Sequence, residues 1–272
     1  MIRVGIGGWS FEGWRNGVFF PKGLAKAREL QYASEKLNSI EINSTFHRNQ
    51  SPASFRKWAA ETPENFVFSV KASRFVTNRR VLADAGPAID GFLASGITEL
   101  GKKLGPILWQ FPPTKKFDEK DFGAFLALLP ATFAGTPLRH AIETRHESFA
   151  VPAFAKLAAA HDVAIVIAHA DKHPLIGVAS SGFVYIRLES SRSEIPTGYP
   201  PAEIKTWAAR AKRWEEGEWP KDIPLLMASR SRGARDVFVY VISGAKERAP
   251  AAATALLSAV ESGLRNTTSK SA

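Results

Sequence analysis

Five charged residues share one unusual setting. Glu41, Lys71, Glu143, Arg145 and Arg187 stand at or near the ends of short apolar runs: SIEIN (39–43), FVFSVK (66–71), HAIETR (140–145) and FVYIRL (183–188). A charge is costly to bury unless something pairs with it. Side chains alternate faces along a strand, so if Ile40 and Ile42 turn one way, Glu41 and Asn43 turn the other. The same parity sets Ser69 with Lys71, Glu143 with Arg145 and Tyr185 with Arg187, and gives Gln110 the matching place in PILWQF (106–111). A carboxylate among such groups can act as general acid or base. Lysine and arginine can hold an anion and stabilise negative charge as it develops. Glu41, Glu143, Lys71 and Arg145 are therefore the candidate catalytic residues, with Arg187 and Gln110 beside them. Two other readings stay open. The five charges could form a purely structural salt-bridge network, or the carboxylates could work as a glycosidase-like pair, weakened by the cations around them.

These residues need a frame that gathers strand ends. Eight candidate strands run through 3–8, 39–43, 66–71, 106–111, 140–145, 163–168, 183–188 and 236–242. Most are apolar nearly throughout, as parallel strands covered by helices should be. Helix candidates lie between them at 24–37, 51–60, 87–102, 118–129, 151–160, 201–216 and 245–263, with helix starts at Ser51-Pro52 and Asp118. The segment after the sixth strand, HADKHPLIGVASSG, offers no helix, so one barrel helix is short or missing. About eight β/α alternations in 272 residues predict a single TIM barrel over residues 1–263, with a doubly wound open sheet as the competitor. Residues 264–272 read as a flexible polar tail. In a barrel the outward-facing Ile residues meet the helices, and the polar set converges on the C-terminal mouth, where barrel enzymes place their chemistry.

Net charge is +10, from 36 Lys and Arg against 26 Asp and Glu. Part of the excess falls in expected mouth loops: Arg74, Arg79 and Arg80 after the third strand, Lys115 and Lys116 after the fourth, Arg192 after the seventh. That predicts a basic rim and an anionic partner, either a small molecule or nucleic acid. Trp9, Phe46, Phe75, Phe111 and Tyr199 also fall in mouth segments, where an aromatic ring could stack on a base or a sugar. The run SRSRGARD (229–236) reads as a solvated basic loop at the opposite rim.

No metal or cofactor is expected. The chain has no cysteine, which excludes disulfides and thiolate chemistry and fits a reducing cytoplasm. His169, Asp171 and His173 alternate in a loop that gives them no common frame, and the cations near Glu41 and Glu143 would repel a metal ion. GIGGWS (5–10) lacks dinucleotide-fingerprint spacing, and there is neither a Walker-type loop nor a GxSxG elbow. The N-terminus has no signal-peptide pattern, and no apolar run reaches membrane-spanning length.

Four ordered blocks, GIGGWSFEGWRNGVFFPKGL, EINSTFHRNQSPASFRKWAAETPENFVFSVKASRFVTN, FLASGITELGKKLGPILWQFPP and HAIETRHESF, together resemble the YecE-like family, also called domain of unknown function 72. The resemblance runs from about residue 3 to 260. It implies a TIM barrel and no secure reaction; a nucleic-acid role has been proposed for the family by fold similarity to endonuclease IV. Carried over position by position, it adds Trp9, Ser10, Thr45, Phe46, His146 and Tyr199 to the residues found by parity. Trp9, Ser10, Asn43, Thr45, Phe46, Gln110, His146, Arg187 and Tyr199 are accordingly assigned to substrate binding. The chain departs from the family pattern at His169, where Asp is usual, at Glu189, which replaces a His, and at Ser243, which replaces an Asn. The expected function is an enzyme, hydrolase or lyase, acting on a phosphate ester or nucleic-acid fragment at the barrel mouth. A non-catalytic nucleic-acid-binding protein is the alternative.

Overall fold

The computed structural model describes residues 1–227 and 233–268. The chain alternates strands and helices: β1 (Ile2–Gly7), α1 (Glu29–Lys36), β2 (Ser39–Ile42), α2 (Pro52–Ala60), β3 (Val67–Lys71), α3 (Arg74–Thr77), α4 (Gly86–Leu93) and β4 (Leu104–Gln110). There follow α5 (Glu119–Ala127), the small hairpin β5 (Thr132–Phe133) and β6 (Thr136–Pro137), β7 (His140–Glu143) and α6 (Pro152–Ala160). The last third holds β8 (Ala164–Ile165), β9 (Ile167–His169), β10 (Phe183–Leu188), α7 (Pro201–Glu215), β11 (Asp236–Val241) and α8 (Ala249–Thr268).

All pairings of the main sheet are parallel, in the order β8-β7-β4-β3-β2-β1-β11-β10-β9. Its two ends, β8 and β9, are separated in the chain only by Val166, whose N–H donates to Ile142 O at 2.9 Å. They are the halves of one broken sixth strand, so the sheet closes into a TIM barrel. No helix fills residues 170–182, as the sequence predicts.

The parity argument holds around the ring. Ile40, Ile42, Phe68, Val70, Ile107, Ile142 and Ile186 belong to the apolar layer between barrel and helices. Leu108, Ala141, Ala164, Val166, Phe183, Tyr185, Phe238 and Tyr240 pack together inside the barrel. Above this plug the interior turns polar. Ser39 Oγ lies 2.7 Å from Tyr240 OH, and Ser69 Oγ lies 2.7 Å from Tyr185 OH. Gly5 makes room for this layer: a Cβ there would stand 2.0 Å from Ser39 O, inside the neighbouring strand.

Several boundaries differ from expectation for local reasons. The helix expected over 87–102 stops at Leu93 because Gly96 takes φ +105°, and the chain resumes as a 3-10 turn, Ile97–Lys103. A Cβ at Gly96 would stand 2.7 Å from Pro52 Cα, so that glycine lets α2 pack closely. The turn α3 is additional, opened by Ser73 Oγ accepting from Phe75 N–H at 3.3 Å. The final helix continues past residue 263 to Thr268. Residues 228–232, which include the first half of the predicted basic loop, and 269–272 lie outside the described residues; in its second half Arg235 is buried, not solvated. No helix among the described residues is long and apolar enough to cross a membrane.

Candidate functional site

At the C-terminal end of the barrel, the inward strand-end residues form one ion-pair cluster. Arg187, from β10, is only 1 % exposed and sits at its centre. Its Nε donates to Glu41 Oε2 and its Nη2 to Glu41 Oε1, both at 3.1 Å, a bidentate clasp of the β2 carboxylate. Its Nη1 donates to Glu143 Oε2, from β7, and to Glu189 Oε1 at 2.7 Å. Arg145 Nε donates to Glu143 Oε1 at 2.6 Å, and its Nη2 reaches both Glu189 oxygens at 3.3 Å. Gln110 Nε2 donates to Glu143 Oε1 at 2.8 Å, and Tyr185 OH to Glu41 Oε2 at 2.7 Å.

The pKa values follow from this geometry. Burial alone would push the Glu143 carboxyl up, but Arg187, Arg145 and Lys71 together outweigh it and hold it at about 2. Burial, assisted by the Glu143 charge, raises Glu189 despite its arginine neighbours. Arg187 loses hydration but is raised overall by the three carboxylates. Tyr185 is pushed up by burial and then by the Glu41 charge, so it remains a hydroxyl donor.

Lys71 is different. It ends β3, is 9 % exposed, and its ammonium makes no hydrogen bond or ion pair among the described residues. The Nζ stands 4.1 Å from the centre of the Phe46 ring, a cation–π contact. Thr45 Oγ1 donates to Lys71 O at 2.6 Å and fixes the strand end from which the side chain rises. Burial, and then repulsion from Arg187, lowers its pKa to about 8 against the opposing pull of Glu41 and Glu143.

Two clefts flank the cluster. One, of about 260 Å³, is lined by Trp9, Ser10, Phe11, Asn43, Ser44 and Lys246. The other, of about 460 Å³ and more open, is lined by Arg145, His146, Glu147, Asp171, Lys172, His173 and Pro174. His146 Nδ1 accepts from Ser148 N–H at 3.1 Å, so a neutral ring carries its proton on Nε2. Arg74, Phe75, Asn78 and Arg79 line a shallow surface groove, with Phe75 62 % exposed and the Arg74 guanidinium 5.6 Å from its ring.

Some expected residues do not face the mouth. Tyr199 is fully buried, and its hydroxyl accepts from Ser190 N–H at 3.0 Å; it holds the loop after β10 and offers no surface to a ligand. Phe111 is likewise fully buried, against Phe122 and Phe125 beneath α5. Two of the expected rim cations are neutralised within the fold, Lys115 by Asp121 at 3.0 Å and Arg192 by Glu203 at 3.0 Å. Asp171 accepts from Ser190 Oγ at 3.0 Å, while the His169 ring packs on Trp207. No group of three His, Cys, Asp or Glu that could hold a metal gathers among the described residues.

Glu189 is the cluster member that parity should have added. It continues the inward series Tyr185, Arg187, Glu189 one step beyond the strand, where an apolar run no longer flags it. Phe11 comes from a loop and Lys246 opens the 3-10 turn before α8, both outside the strand alternation that found the others; the Lys246 Nζ lies 4.9 Å from the Phe11 ring centre.

Residues 3–272 match the family described as "Protein of unknown function DUF72". The chain belongs to the DUF72 family. UPF0759 protein YunF of Bacillus subtilis (strain 168) is 32% identical over 160 residues, which make up 57% of this chain and 54% of that protein. The chain thus spans about half the length of this curated relative. The crystal structure of a DUF72 family protein from Thermotoga maritima MSB8 is similar with a TM-score of 0.70 and 23% identity, covering 97% of this chain and 99% of that one. Another from Enterococcus faecalis V583 has a TM-score of 0.69 and 19% identity, with 96% of each chain covered. At these identities the likeness to other DUF72 structures speaks for the barrel fold alone.

Proposed function

We propose that the barrel mouth binds a small anionic ligand of the phosphate-ester class and acts on it. The observation that carries this reading is Lys71, a residue only 9 % exposed whose ammonium has no counterion on it among the described residues. A buried charge is normally paired, and a ligand anion would supply the missing pair. Arg145, 22 % exposed at the edge of the cluster, is the arginine of the cluster that can also reach a ligand in the open cleft. A proton taken up by Glu189 would free its guanidinium to do so, and the raised Glu189 pKa favours that uptake.

Hydrolysis by a carboxylate pair is less well supported. It needs one carboxyl to donate a proton, and Glu41 and Glu143 both accept from the same guanidinium. Nucleic-acid binding has one observation of its own: the exposed Phe75 ring between Arg74 and Arg79, a stacking surface edged by cations.

Calorimetric titration with inorganic phosphate and a simple phosphate monoester tests the reading. Wild type should bind, and Lys71→Met should weaken binding about tenfold, the loss of one charge-assisted hydrogen bond. Absence of binding to wild type, or equal affinity of the two proteins, would refute it.

A further inference from the structure

We propose that Lys71 is an imine-forming amine, and that the ligand of this mouth carries an aldehyde or ketone as well as its anionic group. The inference rests on the anionic-ligand reading above and names the substrate class more closely.

An ammonium meant only to grip an anion is best kept fully charged, with its hydration replaced by fixed acceptors. Lys71 keeps a cation–π contact but lacks those fixed acceptors. The Phe46 ring covers one side at 4.1 Å, and no oxygen accepts a hydrogen bond from its Nζ among the described residues. The groups acting on it electrostatically are Arg187, Glu41, Glu143 and Arg145. Both Glu41 and Glu143 are already committed to arginines, by the Arg187 clasp and by the Arg145 Nε contact of 2.6 Å. Desolvation beside another cation is the setting that frees a lysine lone pair for attack on a carbonyl. The remaining exposed edge of Lys71 is its access route, and Arg145, close enough to act on Lys71 electrostatically, would hold the anionic end beside it. A pKa of about 8 agrees with this arrangement.

The step balances without a further reactant. The ammonium gives one proton to water, and the Nζ lone pair forms a bond to the carbonyl carbon. The C=O π electrons move to oxygen, which takes a second proton from nitrogen to give a carbinolamine. The first proton returns to that hydroxyl, the C–O bond breaks, and water leaves as nitrogen closes the C=N bond. Ammonium plus carbonyl becomes iminium plus water. An iminium withdraws electrons from the adjacent carbon, so the chemistry it opens is proton removal or C–C cleavage next to the former carbonyl.

The test is reductive trapping. Wild type is incubated at neutral pH with glyceraldehyde 3-phosphate or glyceraldehyde, each with cyanoborohydride, and labelled lysines are mapped by peptide mass spectrometry. An amine of pKa about 8 has roughly two orders of magnitude more free base at pH 7 than an ordinary lysine. Lys71 should therefore label at least about tenfold faster than any exposed lysine, and faster still with the phosphorylated aldehyde. Inorganic phosphate should slow it, and Lys71→Arg, checked for native folding by circular dichroism, should remove that label alone. Labelling spread over surface lysines, with Lys71 no faster than they are, overturns the inference. Because phosphate binding is measured independently by calorimetry, that result leaves the anionic-ligand reading standing. Fast labelling of Lys71 by both aldehydes at one rate, with no phosphate binding, instead overturns the anionic part while the amine chemistry survives.

Discussion

Replacing Arg187 by Met should invert the pH dependence of stability as well as lower its level. Arg187 is 1 % exposed, and its guanidinium serves Glu41 and Glu143, both with no exposed surface. Removing one partner of a buried pair typically costs about 3–5 kcal/mol, because the other charge is left uncompensated. In wild type the Glu143 carboxyl is held at about 2 against an ordinary 4.5. A depressed folded pKa contributes stability that is present above pH 4.5 and lost as pH falls through 2. A difference of about 2.5 corresponds to something on the order of 3 kcal/mol. Without Arg187 the burial of Glu143 is opposed only by the weaker cations, and its folded pKa should rise above the unfolded value. Its contribution then changes sign, being present at low pH and lost as pH rises through the folded value. Urea denaturation followed by the fluorescence of the seven tryptophans, from pH 3 to pH 8, reads both effects. Wild type should lose stability below pH 4.5. Arg187→Met should be weaker by about 3–5 kcal/mol at pH 7 and should recover part of that on acidification. A variant that merely shifts the whole curve down, parallel to wild type, would refute the assignment of Arg187 as the group holding Glu143 ionised.

Lys71→Met should stabilise the protein at pH 7 by about 1–3 kcal/mol, because an uncompensated cation is replaced by an apolar chain of similar length. In wild type the same group should make stability rise with pH between about 8 and the ordinary 10.5, the window in which the unfolded chain holds more protons; a flat urea midpoint there would contradict the burial of the ammonium. Replacing Arg74, Arg79 and Arg80 together by Ala should flatten the salt dependence of oligonucleotide binding by roughly two to three on a log–log plot if these side chains meet phosphates. Identical slopes in fluorescence-anisotropy titrations, or no binding at low salt, would remove the nucleic-acid reading of the Phe75 groove.

The barrel and the inner cluster were legible because both rest on period-2 alternation. Glu41, Lys71, Gln110, Glu143 and Arg187 interrupt apolar strands at matching heights, and a closed sheet brings such positions together. What parity could not reveal was which charge would lack a partner. Lys71 and Arg145 look alike in sequence, yet Arg145 finds two carboxylates and Lys71 faces a phenyl ring. Phe111 was placed at the mouth by chain position, Tyr199 by chain position and by the family resemblance, and packing turned both into the wall. Glu189 lay just beyond the apolar run that would have drawn attention to it. The break of the sixth strand at Val166 had no signal either, since VAIVIA is apolar throughout.

That break gives the barrel a seam. The half-strand β8 joins β7 through only two residue pairs, Ala141–Ala164 and Ile142–Ile165, and β9 joins β10 through three, whereas β10 and β11 share six. The gap also lacks the outer helix that braces the other strands. Spontaneous opening of the cylinder should therefore begin here, and amide exchange should be fastest along 164–169 among the barrel strands. The guanidiniums of Arg187 and Arg145 reach across this seam, joining β7 to the end of β10 like stitches over a torn edge. An anion that drew Arg145 away from Glu189 would remove one stitch, so occupancy of the mouth and breathing of the wall become a single equilibrium.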